Sequence, residues 1–195
     1  QCPERAMEVQ MSAALDMERA AWLEQRRRWI GGSDAATLFD ANPHSSRLAL
    51  YYDKIGEGPP DEPSAPATWG TLLEPAVKAA YEQQTGRKLG RGLELVTHPR
   101  YPWMGANTDA TIEPVPEYSG PGVYEGKVSF TSGKVVETVG GIVVATWAAD
   151  EGAPLGVQIQ GQHYLAVSGW QWVGFACFRP GDVLWGKKDP LVRVD

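Results

Sequence analysis

The chain has 195 residues, of which 43% are hydrophobic and 22% charged, enough for one globular domain with a sizeable core and too few to expect two. No apolar run approaches the roughly 20 residues needed to cross a bilayer, and Cys2, Cys177 and the scattered His44, His98 and His163 offer neither a disulfide framework nor a zinc-binding set. A formal charge of −6 disfavours a broadly basic nucleic-acid surface but is compatible with positive charge concentrated in one channel.

Residues 4–28 carry apolar positions (Met7, Met11, Ala14, Leu15, Ala21, Trp22) at helical spacing. This charged, amphipathic opening does not read as a signal peptide, so a cytoplasmic protein is the expectation. The string "IGGSDAATLFD" breaks and restarts the helix: Gly31 and Gly32 end the first, and Ser33 is expected to N-cap the second. A third helix, "SSRLALYYDKIG", closes at Gly56. Residues 57–66 are acidic and Pro-rich, and a mobile loop is expected over 57–68. The fourth helix, "TWGTLLEPAVKAAYEQQTG", tolerates Pro75 only near its first turn.

From about residue 93 the pattern changes to strands in "LELVTH", "WMGANTDATIEP" and "GVYEGKVSF". The apolar, Gly-containing "GKVVETVGGIVVATW" fits either a hairpin or a long loop. "PLGVQIQGQHYLAVSG" then predicts a helix bounded by Pro154 and Gly169, and "WQWVGFACF" a last strand. No internal repeat is present. Helices, three strands, a helix and one more strand make a single α/β domain with a central mixed sheet.

Within "YEGKVSF", alternation along a strand puts Glu125 and Lys127 on the same side. Alone, such a pair reads as a surface ion pair worth about 0–1 kcal/mol. Asp109, in "NTDATIEP", precedes it by a distance that suits a hairpin connection, which would bring the three groups together. Two carboxylates beside a lysine suit Mg²⁺, which takes a few hard oxygen ligands and keeps several waters. The lysine can orient a metal-bound water while the metal stabilises phosphoryl charge. Glu74 lies on a largely apolar helical stretch, and Gln158, Gln160 and Gln162 crowd another, where core hydrogen bonding is the plain alternative. The run Arg26, Arg27, Arg28 is either a solvated helix end favoured by the macrodipole or a ligand site.

Six strings in order, "WLEQR…IGGSDAA", "NPHSS…LYYDKIG", "WGTLLEPAVKAAYEQQTG", "ANTDATI", "YEGKV" and "QGQHYLAVSGW", resemble the phage-type alkaline exonucleases. That family comprises lambda exonuclease and the YqaJ viral recombinase group within the PD-(D/E)xK nuclease superfamily, and the likeness runs from about Trp22 to Phe178. The resemblance implies a restriction-endonuclease-like core, with N-terminal helices over 1–56 and a catalytic core over 69–180. It implies a Mg²⁺-dependent deoxyribonuclease, with one or two ions and Mn²⁺ as a substitute, acting 5′ to 3′ on ends of duplex DNA in phage-type recombination.

By the same resemblance, Asp109, Glu125 and the carbonyl of Gly126 hold the ion, and Glu74 approaches a second metal position. Lys127 positions the attacking water beside Gln160, with a register shift to Gln158 or Gln162 left open. Arg26 and Ser33 fall where the family binds a 5′-phosphate, and Arg28 shares or replaces the role of Arg26. Arg26, Arg28, Lys54, Lys134, Lys187 and Lys188 are candidates to line the DNA path. A single-strand annealing protein is the implied partner, a ring-shaped homotrimer the implied assembly, and a bacterial cell hosting a phage or prophage the implied setting. Gly126 departs from the family, which carries a bulky apolar residue there, and the chain stops short of the family's C-terminal helical tail. An endonuclease on the same fold, or a catalytically silent DNA-binding relative, are the competing readings.

Overall fold

The computed structural model of the protein describes residues 17, 20–60, 64–129, 137–139, 142–144, 153–180 and 191–194. Helix α1 is described over residues 20–26 and is followed by α2 (Gly32–Leu38), α3 (Arg47–Lys54) and α4 (Ala65–Thr85). Strands β1 (Leu89–Gly90), β2 (Val96–Thr97), β3 (Gly105–Ala106), β4 (Ala110–Ile112) and β5 (Gly122–Val128) come next. After them come β6 (Glu137–Val139), β7 (Ile142–Val144), α5 (Leu155–Ser168), β8 (Val173–Phe178) and β9 (Leu191–Val194).

Five strands form one mixed sheet in the order β1-β4-β5-β8-β9. Strand β5 is central, antiparallel to β4 and parallel to β8, with Glu125 opposite Phe175 and Ala110 opposite Tyr124. A parallel neighbour needs a crossover, and α5 lies between β5 and β8 in the chain to supply it. Each face of the sheet carries its own core. On one side α5 contributes Tyr164 and Val167 against Val123, Val173, Phe175 and Cys177. On the other, α4 contributes Val77 and Tyr81 against Ile112, Tyr124 and Ala176. Burial on both faces explains why β8 reads as a continuous apolar run. Gly161 permits the close approach of α5, since a Cβ there would lie 2.5 Å from the Phe175 ring.

The mixed α/β architecture expected from the sequence is present, and α5 keeps its predicted limits, starting after Pro154 and ending at Gly169, whose φ of +73° suits glycine. Within the ambiguous stretch the described residues are two short strands, β6 antiparallel to β7. Other expectations need correction. Helix α4 starts at Ala65, inside the segment expected to be loop, because Ser64 caps it through the Ala67 N–H at 3.3 Å. Pro75 therefore sits deep inside a 21-residue helix. An internal proline costs about 3 kcal/mol, and burying Val77 and Tyr81 beyond it offsets a comparable amount.

Helix α1 stops at Arg26, before the glycines, and Gly31 rather than Ser33 is the N-cap of α2, its N–H bonded to the Asp34 carboxylate at 2.9 Å. "LELVTH" contributes only Val96–Thr97, paired with β3 in a small separate sheet, and β1 and β9 extend the main sheet where no strand was expected. Residues 4–16, 61–63 and the lysines at 134, 187 and 188 lie outside the described residues. Among the described residues no helix is long and apolar enough to cross a membrane.

Candidate active site

Strand alternation does on β5 what the sequence required of it. Lys127 Nζ lies 2.6 Å from Glu125 Oε1, and the Glu125 side chain is almost wholly buried. Gln160, buried on α5, donates its amide to the same Glu125 oxygen at 2.6 Å and also lies 2.7 Å from the Tyr164 hydroxyl one turn on. The second oxygen, Glu125 Oε2, is buried without a hydrogen-bond partner among the described residues.

Asp109 occupies a bend immediately before β4 rather than the centre of a strand. The β4–β5 register carries it beside Glu125, and its Oδ2 accepts the Gly126 N–H at 2.9 Å. Burial first, then the neighbouring Glu125, pushes the Asp109 carboxyl up from 3.8 to about 7. Burial alone would lower the Lys127 ammonium. The charge and hydrogen bond of Glu125, with Asp109 and Cys177 adding, hold it above its ordinary value. Asp109, Glu125, Lys127 and Gln160 thus converge from a bend, a strand and a helix on one cluster.

Glu74 reaches the cluster's edge from α4, where Lys78 Nζ lies 2.6 Å from Glu74 Oε1 and 2.6 Å from the Asp109 carbonyl. A cavity of about 260 Å³ joins Glu74, Asp109, Glu125 and Lys127, and one of about 610 Å³ runs from Glu74 and Asp109 past Lys78 and Arg91. A third, of about 280 Å³, holds Arg26 and Ser33 together with Asp109, Glu125, Lys127 and Gln160. There the Arg26 guanidinium bonds Ser33 Oγ at 2.7 Å and lies 5.3 Å from the Trp22 ring centroid. Gly32 makes this assembly feasible, because a Cβ at that position would fall 2.7 Å from the Tyr164 ring.

Four sequence candidates fall elsewhere. Arg28 is exposed and does not line the cavity that holds Arg26. Gln158 bonds the Ala153 carbonyl at 2.6 Å and Gln162 is exposed, so Gln160 is the glutamine that reaches Glu125. Lys54, a candidate for the DNA path, is 13% exposed, paired with Asp34 at 2.6 Å and bonded to the Arg26 carbonyl at 3.0 Å. Tyr164, Lys78, Trp22 and Asn107 line these cavities and Asp34 pairs with Lys54 and Arg26, all of which sequence reasoning passed over. Only Lys78, four residues after Glu74 on a helix, carried a usable signal.

The profile of the YqaJ-like viral recombinase domain matches residues 21–171, which include every one of these groups. The chain belongs to that family. The uncharacterized protein YqaJ of Bacillus subtilis (strain 168) is 32% identical over 155 residues, which are 79% of this chain and 44% of that protein. The chain therefore spans less than half the length of that relative. Among solved structures, LHK-Exo in complex with dAMP superposes with a TM-score of 0.59 at 20% identity, covering 90% of this chain and 81% of that one. LHK-Exo, an alkaline exonuclease from Laribacter hongkongensis, superposes with a TM-score of 0.57 at 20% identity, covering 90% and 80%. This YqaJ-like domain thus shares the alkaline exonuclease fold, and its mixed sheet accords with a restriction-endonuclease-like core.

Proposed function

We propose that this YqaJ-like domain is a metal-dependent deoxyribonuclease that removes nucleotides from the ends of duplex DNA, working from a 5′-phosphorylated end. The observation that carries the reading is a single cavity in which Asp109, Glu125, Lys127 and Gln160 share walls with Arg26 and Ser33. A hydrolytic cluster and an anion-binding pair are therefore neighbours, as end-directed cleavage requires.

The residues fit a divalent cation on two counts. Glu125 Oε2 is buried without a partner, and Asp109 is forced toward its neutral form by burial and by Glu125. A cation between the two carboxylates relieves both. Among the described residues no group of three or more His, Cys, Asp or Glu side chains could hold an ion. Two carboxylates supplemented by a carbonyl and waters is the way Mg²⁺ is commonly held, with Gly126 as the carbonyl and Mn²⁺ as a workable substitute. Bound there, the ion supplies a nucleophilic water at neutral pH and stabilises charge on the phosphodiester.

The chain's own residues do the rest. Gln160 fixes the Glu125 carboxylate by donating to Oε1, which leaves Oε2 as the free ligand oxygen. Lys127, kept charged by Glu125, provides an ammonium to orient water and offset phosphate charge. Arg26 and Ser33 offer a planar fork of donors and a hydroxyl to a terminal phosphate. A single-strand annealing protein as partner and a homotrimeric ring as assembly complete the proposal.

The test is hydrolysis of linear duplex DNA with 5′-phosphate or 5′-hydroxyl ends, beside a covalently closed circle, in Mg²⁺. The proposal expects loss from phosphorylated ends, an intact circle, and a preference for phosphate that falls about tenfold or more in Arg26→Ala, the scale of one charge-assisted contact. Cleavage of the circle would establish an endonuclease instead.

A further inference from the structure

We infer that Lys78 fills, with its own ammonium, the place beside Glu74 and Asp109 where a second divalent cation would bind, so that the site takes one ion rather than two. The inference rests on the reading of Asp109 and Glu125 as the carboxylates that hold an ion.

Lys78 follows Glu74 by one helical turn on α4, which lets its side chain lie along the same face. Its Nζ is 2.6 Å from Glu74 Oε1 and 2.6 Å from the Asp109 carbonyl oxygen. A Mg²⁺ ion on that side would need oxygens at about 2.0–2.1 Å. It cannot take these two while an ammonium holds both at hydrogen-bond distance. One oxygen is the carboxylate of Glu74, a turn earlier on α4, and the other is the backbone carbonyl of Asp109, which leads into β4. The Lys78 side chain is 28% exposed and lines the cavity of about 610 Å³ beside Glu74 and Asp109.

Charge points the same way. Glu74, Asp109 and Glu125 are opposed by Lys78 and Lys127, each lysine bonded to its own glutamate. One divalent cation already more than neutralises the cluster, and a second would leave an excess of positive charge in a partly buried site. Without the Lys78 ammonium, Glu74 and the Asp109 carbonyl become free oxygens on the wall of the cavity that Asp109 shares.

The experiment is Mn²⁺ titration of the metal-free full chain, with the stoichiometry read by calorimetry and by loss of the free-ion electron paramagnetic resonance signal. One ion is expected in the wild type, two in Lys78→Met and one in Lys78→Arg. Glu74→Gln should leave the single ion bound within about threefold of wild-type affinity, and this arm decides the matter if Lys78→Met does not fold. Two ions in the wild type, one in a folded Lys78→Met, or a tenfold or greater loss of affinity in Glu74→Gln would each overturn the inference while leaving the ion-binding reading intact. No ion bound to the wild type would overturn both.

Discussion

Asp109 shows how burial and one neighbouring charge together set the protonation of a carboxyl. Burial and the adjacent Glu125 raise it from 3.8 to about 7, so the folded metal-free protein keeps a proton that the unfolded chain has already released. Below about pH 4 both states are protonated and the side chain costs nothing. Stability falls as pH rises from about 4 to about 7, and the full penalty persists above that. Without metal, Asp109→Asn should therefore melt at nearly the wild-type temperature near pH 4 and above it at about pH 8, the gap widening through the interval between the two pKa values. A divalent cation should reverse the order at about pH 8, because the wild-type carboxylate then has a partner. Thermal melts of both proteins across pH test this, and a gap that stays flat or favours the wild type at high pH without metal contradicts it. The proposed role of Gln160 belongs to the same scale, since its amide ties one Glu125 oxygen and leaves the other open.

At the scale of elements, the site depends on how tightly α5 lies on the sheet and α2 on α5. Gly161 and Gly32 are the contact points, with a Cβ at Gly161 falling 2.5 Å from Phe175 and one at Gly32 falling 2.7 Å from Tyr164. Gly161→Val should cost about 1–3 kcal/mol by overpacking, measured by urea unfolding, and a variant as stable as wild type would show that α5 yields more easily than this packing implies. The elements also show what a sequence can disclose. Glu125 and Lys127 were legible as neighbours because a period of two admits no other arrangement on a strand, and α5 was legible because Pro154 and Gly169 mark its ends. The choice among Gln158, Gln160 and Gln162 was not, because only the seating of α5 against β5 determines which glutamine reaches Glu125. Lys54 looked free for DNA because its partner, Asp34, lies 20 residues earlier and meets it only through tertiary packing. Strand β1 has two residues, too few to carry any periodicity, and Pro75 in α4 shows tertiary burial overriding local preference.

Across the whole molecule, the net charge of −6 and the DNA-directed reading are reconciled by where the charges lie. Acidic groups gather where a cation is proposed, and Arg26 and Lys127 face the same cavity as those carboxylates. The fold accounts for that placement: a central strand sandwiched between α4 and α5 carries one carboxylate and one ammonium inward, and the bend before β4 adds the second carboxylate. The most direct test of the account is Mg²⁺-dependent release of nucleotides from linear duplex DNA by the wild type and by Lys127→Ala at matched folded concentration. The account predicts hydrolysis that stops when the metal is chelated and falls by about 10²–10⁴-fold in the variant, the range for a positioned group acting in the transition state. Hydrolysis unchanged by Lys127→Ala, or no hydrolysis by the wild type with any divalent metal, would contradict it.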